Sequence, residues 1–236
     1  METVLVVGAT GNIGVSAVIS ALRSGRKVLA IVRNQTSADK LRTHIANIPS
    51  LSFDGITFVK ADVTSETGVR GVVDQVRAGK LPGFQHVFSC VGGDYNAIPL
   101  TEITTEMLRR NMNLSFEANF CTSHFPWLGR ETTWTSCTGA QGDIALMPVP
   151  AIPQGALFSF CTAASRENET TNVRFNEIYL AFRVEVDELA AQHGVTPASE
   201  FAGVYEQILG RPEIRSSRVR VESVADIEEL KFKRKF

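Results

Sequence analysis

The stretch "TVLVVGATGNIGVSAVISALRSG", residues 3–25, decides the fold of this chain. It opens with five residues rich in β-branched side chains, and after "GATGNIG" the apolar positions recur at helical spacing. This order predicts a buried strand, a tight turn and a helix. Within the turn, Gly8, Gly11 and Gly14 stand three residues apart. Such glycines permit the turn, the approach of the backbone to a pyrophosphate, and close packing of helix on strand.

A glycine turn between strand and helix predicts a dinucleotide site, because the free N–H groups and the dipole of the helix start favour anions. The alternative is a glycine-rich turn used only for packing. We expect the pyrophosphate to be held by residues of the turn and of the first helical turn, namely Gly8, Thr10, Gly11, Asn12, Ile13 and Gly14.

The end of the second strand, "KVLAIVR" (27–33), indicates which dinucleotide binds. An acidic side chain at this point would bind the ribose 2'-hydroxyl of NAD, whereas an arginine accepts the 2'-phosphate of NADP. The segment "AIVRNQTSA" contains Arg33 and Asn34 and no Asp or Glu. The sequence therefore predicts NADP(H), with Arg33 and Asn34 beside the extra phosphate. The alternative is that Arg33 is an ordinary exposed strand end.

The third strand, "GITFVKADV" (55–63), ends in Asp62 and Val63. These residues are placed to meet the adenine edge through the Asp62 carboxylate or the adjacent backbone. The alternative role for Asp62 is a helix cap.

Strands and helices alternate along the rest of the chain. Further strands are predicted at 85–93, 131–139, 172–182 and 217–223, and helices include 37–48, capped by Ser37, 105–125 and 156–168. The proline-rich segment 140–154 lacks a period and is expected to be a loop over a site. We predict a single α/β domain over 1–236, a Rossmann-type doubly wound parallel sheet of about seven strands with helices on both faces.

Composition narrows the classes of function. Lys plus Arg (24) and Asp plus Glu (25) nearly cancel, so no global field attracts nucleic acid or an anionic membrane. The basic tail "KFKRKF" is expected to be a solvated end. The four cysteines form no C-x-x-C pair, which indicates thiols in a reducing compartment and no metal site. No signal peptide or membrane span is expected, and we predict a cytoplasmic protein.

With these motifs in place, nearly the whole chain resembles a short-chain dehydrogenase/reductase. The glycine spacing is similar to that of the extended and atypical, NmrA-like branches, and "ADV" resembles the family's adenine-contact motif. "SCVGG" (89–93) resembles the N-N-A-G segment, which implies that Cys90, Val91 and Gly92 line the cofactor ribose. The resemblance also assigns Asn113 as the helix asparagine and Ser136 as the catalytic serine.

The resemblance breaks at "FSFCTAA" (158–164). The family's Tyr-x-x-x-Lys pair aligns with Phe158 and Thr162, so both groups are missing. In the family, hydride delivery to a carbonyl leaves an alkoxide that the tyrosine protonates, and a phenylalanine has no such proton. The replacements that the sequence offers are Tyr95 and Tyr179, with Asp94 and Asp143 as other acids; taken singly, each is also typical of a structural residue.

Three functions follow from this reading, in order of preference. The first is an NADP(H)-dependent oxidoreductase acting on a small organic substrate, a carbonyl, imine or conjugated acceptor, in specialised metabolism. In it Ser136 would bind the substrate, Asn113 would hold a water or the helix geometry, and Tyr179 or Tyr95 would supply the proton. The second is a non-redox cyclase, isomerase or dehydratase. The third is a regulatory protein that senses NADP(H). The resemblance also implies a homodimer.

Overall fold

The first half of the chain alternates strand and helix as its apolar pattern predicts. The computed structural model describes residues 1–93, 95–123 and 132–236. The elements of the first half are β1 (Thr3–Val7), α1 (Asn12–Arg23), β2 (Lys27–Val32), α2 (Gln35–Ala46), β3 (Ile56–Lys60), α3 (Gly68–Arg77) and β4 (His86–Ser89).

The second half is less regular. Its first helix, α4, runs over 105–123 as Thr105–Asn111, a π-helical segment Met112–Glu117, Ala118–Phe120 and a 3₁₀ turn Cys121–Ser123. The remaining elements are β5 (Thr132–Gly139), α5 (Gln141–Ile144), α6 (Pro148–Glu167), β6 (Val173–Leu180), β7 (Val184–Glu185), α7 (Asp187–His193), β8 (Thr196–Pro197), α8 (Ala198–Gly210), β9 (Ser217–Val221), α9 (Ala225–Glu228) and β10 (Lys231–Arg234).

One sheet runs through both halves, in the strand order β3-β2-β1-β4-β5-β6-β9-β10. Every neighbouring pair is parallel except β9 and β10, which are antiparallel. The order reverses between β1 and β4, and ligands of such sheets bind outside the carboxyl ends of the strands at this point. The predicted doubly wound fold of Rossmann type is confirmed. Among the described residues, β7 and β8 form a second, two-stranded sheet.

Apolar side chains are buried on both faces of the main sheet. Val6, Phe88 and Val219 face a core that includes residues of α1, α2 and α8. Leu5, Trp134 and others face a second core with residues of α3, α4 and α6. Because the inner strands are covered by helices on both sides, all five residues of β1 are buried, and apolar and polar residues do not alternate along it.

The basic tail is not a free end, and the main sheet has eight strands where about seven were predicted. The tail contains β10, the eighth strand, which pairs with β9. Its Lys231, Lys233 and Arg234 are exposed, as is common for charged residues on an edge strand. Beyond the strand, the Lys235 side chain is only 4 % exposed, because its ammonium group pairs with Glu177 inside the protein.

The prediction of a loop over 140–154 is also wrong. This segment contains α5 and the start of α6, and α6 has proline at 148, 150 and 153. The N–H groups of a first helical turn have no partner within the helix, so the first two prolines remove no hydrogen bond. Pro153 lies further in and is tolerated inside the helix.

The cap of α2 differs from the predicted one. Asn34, rather than Ser37, is the N-cap, and its side-chain oxygen accepts a hydrogen bond from the Ser37 N–H at 2.9 Å. Asparagine and serine are both favoured caps, so sequence alone did not separate the two positions.

Candidate active site

The turn between β1 and α1 fits only glycine at two positions. Gly8 has a φ of +83°, and a Cβ on it would lie 2.9 Å from the Cys90 carbonyl group at the end of β4. A Cβ on Gly14 would lie 2.0 Å from the Gly8 oxygen. The turn is therefore pressed against both the next strand and its own helix. This is the close packing that the glycine spacing predicts.

The start of α1 is open to an anion. Gly11 is the N-cap, and among the described residues no side-chain cap hydrogen bond is made to the first turn. Gly11 and Asn12 are exposed, while Thr10 and Ile13 are half-buried. The Asn12 side chain accepts a hydrogen bond from the Val186 N–H at 3.3 Å, which connects the helix start to the segment between β7 and α7. A helix start without a side-chain cap, at the reversal of strand order, fits a pyrophosphate.

Arg33 and Asp62 lie at the ends of β2 and β3 and are both exposed. Among the described residues, the Arg33 guanidinium group has no hydrogen-bond or ion-pair partner. Asp62 accepts hydrogen bonds from the Thr64 N–H at 3.0 Å and the Thr64 hydroxyl at 2.7 Å. These bonds, with the positive charge of Arg33, lower the pKa of Asp62. The Asp62 carboxylate therefore binds its own turn, and Arg33 is left as an unpaired cation at this end of the described chain. The Asn34 oxygen is already used as the helix cap.

The segment after β4 presents backbone rather than side chains to the sheet edge. The Cys90 thiol is buried next to the Tyr205 hydroxyl, with sulfur and oxygen 3.2 Å apart, and burial raises its pKa to about 12. Gly92 is exposed, and Val63, which follows β3, is half-buried. The Cys90 thiol therefore faces the core, and only the main chain here remains for a ligand.

Two asparagines of α4 have different partners. The Asn113 amide donates to the Thr64 carbonyl and to Glu117, both at 3.0 Å, so it links the helix to the turn after β3. The fully buried Asn119 accepts a hydrogen bond from the Ser89 hydroxyl at 2.6 Å and donates to the Val91 carbonyl at 2.7 Å. The Asn119 side chain thereby holds the segment after β4 in place. No role for Asn119 was predicted from the sequence. The feature that could have indicated one is an amide side chain within an apolar helix face.

Ser136 is completely buried in β5. Its hydroxyl has no hydrogen-bond partner of normal geometry among the described residues. It lies beside the thiol of Cys161 on α6; burial raises the pKa of this thiol, and the Ser136 hydroxyl opposes the rise. The hydroxyl is thus available for a bond, but α6 covers it.

Phe158 and Thr162 lie one turn apart on α6. The Thr162 hydroxyl donates to the Phe158 carbonyl at 2.9 Å, within its own helix. The Phe158 ring lies 5.8 Å from the Tyr179 ring, between centroids, and the Arg218 guanidinium carbon lies 4.2 Å above its face. These contacts place Phe158 over the end of β6 as a cover.

A buried group of charged side chains lies beneath Phe158. No motif in the sequence predicted it. The Glu177 carboxylate, on β6, is fully buried and pairs with Arg218 on β9 at 3.1 Å and with Lys235 beyond β10. The Thr138 hydroxyl donates to it at 2.8 Å. Ser136 is opposite Glu177 in the sheet register. The signal for this group was Glu177 itself, a carboxylate in the middle of a buried strand, which requires a cationic partner.

The two candidate tyrosines lie in different surroundings. Tyr179 is only 4 % exposed, under Phe158 and the guanidinium groups of Arg218 and Arg220. Burial and the nearby Asp143 carboxylate raise its pKa. Tyr179 is therefore enclosed among side chains of the β6 and β9 edge.

Tyr95 is 56 % exposed. A Cβ on Gly139, at the end of β5, would lie 3.6 Å from its hydroxyl. Burial of the phenol group raises its pKa, so the hydroxyl stays protonated. Of the two tyrosines, Tyr95 is the one whose hydroxyl reaches the carboxyl end of β5. Asp94, the neighbouring candidate acid, lies outside the described residues.

The described part of the chain contains no group of three or more His, Cys, Asp or Glu side chains placed to hold a metal ion. All four cysteines are free thiols. In the same ranges, no helix has the length and apolar character that a membrane crossing requires.

Comparison with known proteins agrees with this geometry. Residues 2–128 match the short chain dehydrogenase family model, a match that ends before β5. The chain is 48 % identical to the short-chain dehydrogenase/reductase iacG of Pestalotiopsis fici, over 99 % of this chain and 96 % of the relative.

Solved structures share the fold. A short-chain type dehydrogenase/reductase from Mycobacterium ulcerans superposes with a TM-score of 0.77 at 20 % identity, over 93 % of this chain and 88 % of the other. An NAD⁺-bound xylitol dehydrogenase gives 0.78 at 16 % identity, over 93 % and 97 %.

The match to the family model covers more than half of the chain, and the relative from Pestalotiopsis fici is similar over nearly all of it. The chain belongs to the short-chain dehydrogenase/reductase family.

Proposed function

We propose that this protein is an NADP(H)-dependent oxidoreductase that reduces a carbonyl, imine or conjugated acceptor in a small organic molecule. The observation that carries the proposal is the exposed guanidinium of Arg33, without a partner among the described residues, at the end of β2 beside the uncapped start of α1. The helix start favours the pyrophosphate, and Arg33 suits a further phosphate on the adjoining ribose.

In the proposed site, one group of residues binds the nucleotide and another group contacts the substrate. Bound NADPH supplies a hydride from its nicotinamide ring. Gly8, Gly11 and Gly14 bring the backbone to the pyrophosphate, and the main chain at 90–92 borders the ribose. Asn119 holds that main chain in place through the Val91 carbonyl.

At the substrate end, Tyr95 is the proposed proton source because its hydroxyl lies near the carboxyl end of β5 and stays protonated. A role for Ser136 as the second hydroxyl requires that α6 uncover it, since its side chain is fully buried. Since Phe158 and Thr162 carry no acid at the family's usual positions, the proton comes from the loop after β4 rather than from α6.

Cofactor binding to the wild type and to Arg33→Asp tests the proposal. We expect the substitution to weaken NADPH binding by at least about tenfold in Kd, because it replaces an attraction to the 2'-phosphate with a repulsion, and to leave NADH binding much less affected. Isothermal titration calorimetry measures both constants. Equal losses for the two dinucleotides would refute the NADP preference. Substrate-dependent loss of NADPH absorbance then tests the redox step.

A second function has one observation in its favour. The Ser136 hydroxyl is buried under α6, and the Phe158 ring closes the position of a proton donor. This arrangement also suits a cyclase, isomerase or dehydratase that orients its substrate against apolar walls. Product formation without net NADPH consumption would select this function. The homodimer, the cytoplasmic location and the role in specialised metabolism remain predictions.

A further inference from the structure

Gln154 is a buried polar side chain on α6 that no catalytic role has yet explained. It lies one turn before Phe158, and the residue is only 5 % exposed. Its side-chain oxygen accepts a hydrogen bond from the Gly139 N–H at 2.7 Å. This bond fixes the amide at the carboxyl end of β5, three residues beyond Ser136.

The direction of the amide group follows from its partner. A backbone N–H can only donate, so the group facing Gly139 is the oxygen, and the NH₂ group points away from it. The Gln154 nitrogen has no hydrogen-bond partner among the described residues, and it is not one of the side-chain atoms sealed from solvent. The donor therefore has no protein partner among the described residues and is open to solvent, so a bound ligand can accept its hydrogen bond.

A second donor lies near Gly139. Around the point that a Cβ on Gly139 would occupy, the Tyr95 hydroxyl lies at 3.6 Å, and the Gln154 amide carbon and the Leu180 carbonyl oxygen each lie at 3.8 Å. The missing side chain of Gly139 leaves this space open. Both groups are uncharged donors, so together they suit an uncharged acceptor atom better than an anion.

We propose that the Gln154 NH₂ group and the Tyr95 hydroxyl together bind the acceptor atom of the substrate, a carbonyl oxygen or imine nitrogen. This proposal rests on the proposed function. When hydride from NADPH forms the new C–H bond, the π electrons of the C=O bond move to the oxygen. The Tyr95 proton then bonds to that oxygen, and the phenolate regains a proton from solvent. Gln154 donates to the same oxygen throughout and orients the carbonyl.

Gln154→Glu tests this role without removing the structural bond. A glutamate keeps an oxygen to accept from the Gly139 N–H and replaces only the free NH₂ group with a carboxylate oxygen, which repels a carbonyl oxygen. The probe is 4-(dimethylamino)cinnamaldehyde, whose absorption moves to longer wavelength when its carbonyl oxygen accepts a hydrogen bond. With NADP⁺ bound no turnover occurs. We expect a red shift with the wild type and at least about tenfold weaker aldehyde binding with Gln154→Glu.

Two further variants complete the design. Gln154→Met removes both hydrogen bonds at similar size and should lose the red shift as well. Gln75→Glu, on the exposed face of α3, introduces the same charge elsewhere and should retain the shift. The Kd of NADP⁺ should be unchanged in all three variants, which confirms that the fold is intact.

The outcomes separate this proposal from the proposed function. A red shift that persists in Gln154→Glu would overturn the role of Gln154. NADPH oxidation by the wild type with the aldehyde but without a red shift under NADP⁺ would overturn it as well, and the redox function would stand. Neither red shift nor NADPH oxidation would overturn both.

Discussion

The two ends of the site are built in different ways. At the proposed nucleotide end, one local turn would supply the binding groups, namely main-chain N–H groups, and the exposed cation Arg33 lies at the end of the next strand. At the proposed substrate end, the groups come from the segment after β4, from β5, α6, β6 and β9, and from the segment after β10. The Glu177 carboxylate among them is fully buried. The first end therefore depends on backbone conformation, and the second depends on side chains far apart in the sequence.

This difference has a consequence for stability. A turn that only glycine fits is destabilised by steric overlap when a larger residue is introduced. A buried group of charges is destabilised when one partner is removed and the other charge is left unpaired. At the proposed substrate end, α6 places Gln154, Phe158 and Cys161 against the sheet, and the cations that pair with Glu177 come from β9 and the C-terminal segment.

The largest effect is expected at the nucleotide end. Gly14→Ala places a Cβ where the Gly8 oxygen lies 2.0 Å away, so the turn must open. We expect a loss of about 5 kcal/mol in the free energy of unfolding and no measurable NADP⁺ binding. Urea denaturation and calorimetry measure both. Gly71→Ala in α3 is the control, since its Cβ meets nothing within 4 Å, and it should stabilise by about 0.5–1 kcal/mol. Similar behaviour of the two variants would contradict the steric account.

The next effect is expected at the substrate end. Lys235→Met leaves the buried Glu177 with Arg218 as its one cationic partner in the part of the chain that the structure describes. We expect the free energy of unfolding to fall by about 3 kcal/mol, the cost of breaking a buried pair. The neighbouring Arg234 pairs with Glu169 at the surface, so Arg234→Met should cost less than about 1 kcal/mol. If chemical denaturation finds the same loss for both, Glu177 does not need Lys235.

The smallest effect concerns the segment that leads to β10. Lys231 and the main chain at 222–223 hold the pKa of Asp226 at about 2, below its usual 3.8. Because the folded pKa is lowered, the stabilisation is present above pH 3.8 and is lost as the pH falls through about 2. Lys231 is 73 % exposed, so we expect only about 1 kcal/mol.

Unfolding of Asp226→Asn at two pH values checks this expectation. The variant should be less stable than the wild type at pH 7, and the difference should shrink towards pH 2. Glu228→Gln, on the same short helix, removes an exposed carboxylate and is the control. A difference for Asp226→Asn that is independent of pH would rule out the linkage.

Much of the nucleotide end was predictable. The turn at Gly8, the open start of α1 and the position of Arg33 at a strand end all follow from spacing along one short segment. The cap of α2 was predicted three residues too late in the sequence, because Ser37 and Asn34 are both good caps. The residue at which the helix begins in the folded protein decides between them.

Less of the substrate end was predictable. Tyr95 and Tyr179 were equal candidates in the sequence, and only the packing shows one hydroxyl at Gly139 and the other under Phe158. Gln154 was assigned to a loop because three prolines suggested one, and its partner lies on another strand.

The sequence by itself determined the alternation of strand and helix, the glycine turn and the family, because these depend on neighbours within a few residues. The tertiary structure alone decided how the buried charges are paired, which polar groups meet around Gly139, and that the basic tail becomes a strand. These features arise where segments distant in the chain are brought together, and burial then makes each pairing obligatory because an unpaired charge in the core is too costly.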